Sequence, residues 1–403
     1  MKHSVLGLVM LTSSALFGCA EGVAPRVSTY RDTTGHEETI QRKTTDGNIA
    51  RNNLSATIEG LEQRISRHPQ NVDLRVMLLE TLLSRTQFFG QYSDFEKALT
   101  LAEESREMFP NSKALIVAHA KVLGSVHQFQ AAADLLEPFQ DELEIHSLIL
   151  GFKTSMGYAE IENREIKAEM ARRNPNFRTM ADWAHAESTI GEYEKADRLY
   201  QIALESYHDV SPFPVAWIAF QRGLMWAESA NQPLRAVEHY REARRRLPGY
   251  IVATVHLAEL EAEYDRHTDA IVMLKSVLGT TEDPEPAGLL GELIQDEIPE
   301  EAARLWENSQ ETYDRLLSQH QAAFADHASE FFAGPGNDTR RSLELALFNL
   351  NRRNTPRAYI VALEASLAAG DTAVTCSVLE RASQIEGNPA LSALVSEIES
   401  ICR

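Results

Sequence analysis

The feature that most constrains this chain is a short pattern that recurs along it. In residues 191–204 a turn at Gly191-Glu192 leads into a run in which Ala196, Tyr200 and Ala203 stand at i, i+4 and i+7. On a helix these three share one narrow face that reads small, large, small. One helix cannot bury so thin a stripe alone, but stacked copies can bury it continuously. The same template fits at Ala98, Ala132, a degenerate Ile166, Ala196, Ala236, Ala270, Ala302, Ser342 and Thr375, at spacings of 34, 34, 30, 40, 34, 32, 40 and 33 residues. A period near 34 predicts an all-α chain of repeated helical hairpins, an architecture that grows in one dimension and so tolerates 403 residues without splitting its core.

Ala236, Tyr240 and Ala243 followed by Pro248, and Ala98 followed by Pro110, repeat the unit together with a proline that ends it. In these residues the chain resembles the tetratricopeptide repeat family over roughly residues 70–390. That resemblance implies a right-handed α-solenoid of about 8–9 stacked helix pairs that binds other proteins and carries no cofactor. The family lines its groove with the second, fifth, ninth, twelfth and thirteenth places of each first helix. Here these would be Lys121 and Ser125; Arg178, His185, Ser188 and Thr189; and Val255, Glu259 and Glu263. The set lacks the lysine and asparagine clamp that grips a peptide carboxylate. Residues 141–176 hold no clean alanine and depart most from the pattern.

Two long intervals have local causes. The prolines at 212 and 214 enforce an extended loop before the Ala236 unit. A long helix over about 299–332, with a break, precedes a Gly334–Asp338 turn and the Ser342 unit. The aromatics Phe88, Phe89 and Tyr92 fall in a stretch, 86–94, expected to lengthen a helix link, where they either dock a partner or cover the solenoid edge. Leu54, Ile58, Leu61 and Ile65 form a helix ended by His68-Pro69, a cap before the first repeat.

The first residues read as an address. Lys2 precedes an uncharged, mainly apolar run from Ser4 to Phe17, too short to span a bilayer. Leu16-Phe17-Gly18-Cys19 resembles a bacterial lipobox, which implies a signal peptide over 1–18 and acyl chains on Cys19; Ala20 after it implies outer-membrane sorting. A plain cleaved secretory signal is the alternative. Residues 19–48 lack apolar periodicity and are expected to be a tether reaching roughly 30 Å. The solenoid then occupies 49–403.

Charge narrows the partners. With 39 Lys plus Arg against 59 Asp plus Glu, a net charge of −20, the chain repels nucleic acid and anionic membrane surfaces. No His-Glu-x-x-His, Gly-x-Ser-x-Gly, phosphate loop or Cys-x-x-Cys occurs. His320, His327 and Glu330 share a helical region without a fixed third ligand, and Arg241, Arg244, Arg245 and Arg246 form a basic cluster at a helix end. At the C-terminus a turn at 387–389 joins two helices, the second a cap over 390–401, and places Cys376 opposite Cys402. The pair is expected to form a disulfide in an exported protein.

Together these readings describe a lipid-anchored protein of the bacterial envelope, facing the periplasm, that binds protein partners as a scaffold or assembly factor without catalysis, metal or cofactor. An enzyme or metal-handling accessory using 320–341, and a spacer without a specific ligand, remain as alternatives.

Overall fold

The structure, a computed structural model, describes residues 43–402; Cys19, the signal segment and most of the expected tether lie outside the described residues. No strand occurs among the described residues, and the chain is a right-handed α-solenoid of helix hairpins. After the capping helix α1 (Gly47–Arg67) come the pairs α2 (Val72–Phe89) with α3 (Ser93–Met108), α4 (Lys113–Ser125) with α5 (Phe129–Leu136), and α6 (Leu143–Ser155) with α7 (Glu160–Arg173). They continue as α8 (Phe177–Thr189) with α9 (Tyr193–Ser206), α10 (Pro212–Leu224) with α11 (Pro233–Arg246), and α12 (Ile251–Glu263) with α13 (His267–Val277). Then follow α14 (Glu285–Ile294), α15 (Pro299–Ala333), α16 (Thr339–Leu350), α17 (Pro356–Ala368), α18 (Thr372–Ala382) and the cap α19 (Pro389–Ile398).

The recurring stripe is what holds the pairs together. Ala196, Tyr200 and Ala203 of α9 are 0%, 1% and 0% exposed, and Ala236, Tyr240 and Ala243 of α11 are all fully covered. Ala132, Ala270, Ala302 and Ser342 each stand fourth in their helices and are equally buried, so the small residue marks where the partner helix crosses closest. In α7 that fourth place belongs to Asn163, 3% exposed, and not to Ile166, which is only half-buried. An asparagine at the crossing point escaped a search for small apolar residues.

Two other expectations need adjustment, while the broken long helix and the capped turn before Ser342 hold. Pro212 and Pro214 do not lie in an extended loop but in the first turn of α10, where a missing N–H costs nothing. The 86–94 stretch does not lengthen a link: α2 runs on to Phe89 and only residues 90–92 connect it to α3. The long α15 is two helices fused at His320, whose backbone (φ −139°, ψ 56°) is not helical. Its first half closes one hairpin with α14 and its second half opens the next with α16, which explains the 40-residue interval. Asp338 then caps α16 by accepting from the Arg341 amide.

The solenoid closes on itself. The Thr281 hydroxyl donates to the Gly90 carbonyl, His127 Nδ1 meets the Ala322 carbonyl, Arg353 Nε donates to the Ser155 carbonyl, and the Tyr193 hydroxyl donates to the Gly387 carbonyl. The sequence separations of these four contacts are 191, 195, 198 and 194 residues. One turn of the superhelix therefore takes about 195 residues, and successive turns touch along their hairpin loops. Gly157 shows why such loops need glycine: its φ is +85° and a Cβ there would run into the Asn354 carbonyl of the next turn. The Phe88 and Phe89 rings pack on Phe213, and Phe88 also meets Tyr250, so these aromatics cover the edge where turns meet. The Tyr92 hydroxyl donates to Asp283 at 2.7 Å.

At the C-terminus Cys376 of α18 is bonded to Cys402, with Cα atoms 5.4 Å apart. Among the described residues no helix is long and apolar enough to cross a membrane.

Candidate functional site

Inside the closed turn, α12, α14, the second half of α15, α17 and α19 surround two cavities of about 350 and 410 Å³. They share Glu259, Glu364, Leu394 and Glu397. Glu259 and Glu364 are the ninth residues of the 13-residue helices α12 and α17, so equivalent places in two first helices aim carboxylates at one space. Glu228 reaches it differently. Residues 225–229 continue α10 as a π turn, a local widening that often marks functional places, and Glu228 lies within it.

Among the described residues, eight glutamates line the two cavities, at 228, 259, 263, 285, 292, 330, 364 and 397, and no lysine or arginine does. Of the cations nearby, His327 lines the first cavity, and Arg353 and Arg357 stand behind the wall. His327 is clamped by Glu285 and lies 3.8 Å from Asp326; Arg357 pairs with Glu330; Arg353 Nη1 lies 3.4 Å from Asp326 Oδ2. Burial works against charging His327, but Glu285 and Asp326 outweigh it and raise its pKa to about 10. Burial also opposes the charge on Arg357, and the acids around it, Glu330 first, more than restore it.

Burial also holds protons on several of the cavity carboxyls, Glu330 included despite its pairing with Arg357. Burial lifts Glu228 and Glu364 to about 7 and Glu259 well above the usual carboxylate range. His256 sits between Glu228 and Glu259 with its Nδ1 3.4 Å from each, and burial depresses its pKa so that it stays neutral. Tyr240 stacks on His256, with ring centroids 5.5 Å apart. Its ring fills the space a Cβ on Gly223 would need, and its hydroxyl is fully buried with no hydrogen-bond partner. The result is an interior crowded with acids whose ionised forms only accept hydrogen bonds.

No protein-family profile and no curated protein matches this sequence. Among solved structures the chain is similar to the Cut9–Hcn1 hetero-tetramer of the APC/C, at 12% identity and a TM-score of 0.42, over 83% of this chain and 64% of that one. The chain thus spans less than two thirds of that protein. It is also similar to human IFIT1, in a dimer with PPP-AAAA, at 15% identity and 0.46 over 81% and 77%. Yeast Tom70 gives 12% and 0.35 over 88% and 94%. At this identity and overlap the likeness adds nothing to the helical architecture described above.

Of the groove residues implied by the repeat family, three lie at the cavities: Val255 in the first, Glu259 between them and Glu263 at the exposed side of the second. Val255 is buried in the wall. Lys121 is not a free groove cation: it is buried and donates to Glu80 at 2.9 Å, pairing the ninth places of α4 and α2. His185 is half-buried and pushed down to about 4 by burial. The Ser125, Ser188 and Thr189 hydroxyls turn back onto the carbonyls of Val122, His185 and Ala186, and Arg178 is exposed.

His320 and His327 do not converge. His320 lies 2.9 Å from Glu96, His327 faces Glu285, and among the described residues no three His, Cys, Asp or Glu groups are placed to hold a metal ion. The arginine cluster is spent locally: Arg241 on Glu238 and Glu261, Arg244 on Thr254, Arg245 and Arg246 on Glu242.

Sequence reasoning missed Glu228 and Glu364, met Glu330 only beside His327 as a possible metal ligand, and read Tyr240 only as packing. A signal existed: Glu364 sits in Ile-Val-Ala-Leu-Glu-Ala-Ser-Leu and Glu259 in Val-His-Leu-Ala-Glu-Leu, charges set in otherwise apolar helix faces.

Proposed function

We propose that this chain is a lipid-anchored protein of the bacterial envelope, held through Cys19 at the periplasmic side of the outer membrane, which binds protein partners as a scaffold or assembly factor and performs no chemistry. The observation that carries the reading is the hairpin stack: each repeat buries its stripe on its neighbours and leaves a long, shaped surface free to bind. The Cys376–Cys402 bond supports export, because such bonds persist in oxidising compartments. The lipobox-like residues 16–19 support the anchor.

Crosslinking in intact cells, followed by capture of the full chain and of its Cys19→Ala form, tests this. A defined envelope protein should be captured by the native chain and lost with the anchor. Nothing enriched above background for either form would overturn the scaffold reading.

A further inference from the structure

We infer that the acidic chamber is a binding site for an alkylammonium group, supplied by a free polyamine or by a lysine side chain of a protein. The site goes beyond the scaffold reading, since it needs neither the anchor nor a particular partner.

Three observations carry it. The first is the imbalance of charge: among the described residues no lysine or arginine forms an ion pair with Glu228, Glu259 or Glu364, which share the field of one Arg357 that is itself paired with Glu330, and beside Glu228 and Glu259 stands only the neutral His256, while His327 is held by Glu285. The second is independent of the carboxylates. The Tyr240 hydroxyl, on a side chain with no exposed surface, lines the second cavity without any hydrogen-bond partner, and Glu259 Oε1 and Glu330 Oε2 are likewise buried and unpartnered. An ionised carboxylate only accepts hydrogen bonds and a phenol both donates and accepts, so once these acids ionise their oxygens need donors while the Tyr240 proton can turn to one of them. An ammonium brings three donors and no acceptor. The third is shape. The carboxylates are spread along two joined spaces, which no single metal ion can bridge. Leu394, shared by both spaces, with Leu289 and Val361 in the first, offers an apolar track for a methylene chain. The volumes fall within the range of small-molecule sites.

A ligand with cationic ends and an apolar middle therefore fits where a point charge does not. The protons that Glu228 and Glu364 hold to about pH 7 occupy the same positions and are displaced when the ammonium enters.

Calorimetric titration of the purified full-length chain at pH 8 tests this with spermidine, with an N-acetylated, C-amidated dilysine peptide, and with 1,5-pentanediol as the uncharged control. Saturable heat is expected from at least one cation and none from the diol. Tighter binding of spermidine identifies a free polyamine as the source, and tighter binding of the peptide a protein lysine. Glu259→Gln should weaken binding by about tenfold or more, while Glu300→Gln, on the exposed first turn of α15, should leave it unchanged. Tyr240→Phe, which removes only the hydroxyl, should also weaken binding and serves if Glu259→Gln fails to fold. No saturable heat from either cation, heat reproduced by sodium chloride at equal ionic strength, or binding indifferent to both variants would overturn the inference.

Discussion

Glu228 offers a way to weigh the acidic interior as a thermodynamic quantity. Its side chain is 12% exposed, and burial holds its carboxyl at about 7 against an ordinary 4.5. Between those values the folded chain keeps a proton that the unfolded chain has released. Folding therefore loses stability as pH rises through the window, and the loss is complete above about pH 7. At 1.36 kcal/mol per pKa unit the shift corresponds to about 3 kcal/mol. Unfolding entropy of about 2.1 cal/mol/K per residue, over the 360 or so described residues, converts this to roughly 4 °C in Tm. Glu228→Gln has no proton to lose. Because part of the loss is already present at pH 5, thermal unfolding followed by circular dichroism should place the variant's Tm roughly 3 °C higher relative to the native chain at pH 8 than at pH 5. His327, raised to about 10, adds its own loss of stability from pH 6.5 upward, but it does so in both proteins and cancels in the difference. An offset between variant and native chain that is the same at pH 5 and pH 8 would refute the claim that Glu228 is folded at a cost when ionised.

Two further outcomes follow from the ends and edges of the solenoid. Replacing Cys376 and Cys402 together by serine opens a bond that spans 26 residues, a cost of about 3 kcal/mol on loop entropy, and hydrogen exchange should rise first in α18 and α19 while α8 to α11 stay protected. Gly157→Ala and Gly370→Ala both place a side chain at positive φ, but only the first collides with another superhelical turn, since nothing lies within 4 Å at Gly370. Gly370→Ala should cost about 1 kcal/mol of backbone strain, and Gly157→Ala clearly more, with new exchange around Asn354; equal costs would contradict the contact between turns.

The repeat itself was legible because the crossing of two helices demands a small residue at one depth, and Ala132, Ala196, Ala236, Ala270 and Ala302 all supply it. The period, the cap ended at His68-Pro69, the break within α15 and the capped turn at Asp338 all leave local traces in side-chain size, proline and glycine. Asn163 shows the limit of that logic: what matters at the crossing is volume and a tolerable polar contact, and a search for alanine passes over it. The acidic chamber was not legible in the same way. It depends on α12 and α17, whose Glu259 and Glu364 are 105 residues apart in the chain, facing the same cavities, a placement fixed by small rotations accumulated over several repeats and written in no single one. Glu259 could be placed on a first helix from its repeat position, but not its closeness to Glu364. Lys121 failed as a groove cation for a related reason, because its partner Glu80 lies one repeat away at the same helix position.

The central claim is that the superhelix closes, turn on turn, and so shapes that half-open chamber. Small-angle X-ray scattering of the purified chain, with the segment before residue 43 removed by limited proteolysis, tests it most directly. A closed body of about 360 residues should give a radius of gyration near 21 Å on compact-domain scaling. A value of roughly 30 Å or more, with the distance distribution of a long rod, would mean that the turns do not touch and that no such chamber exists in solution.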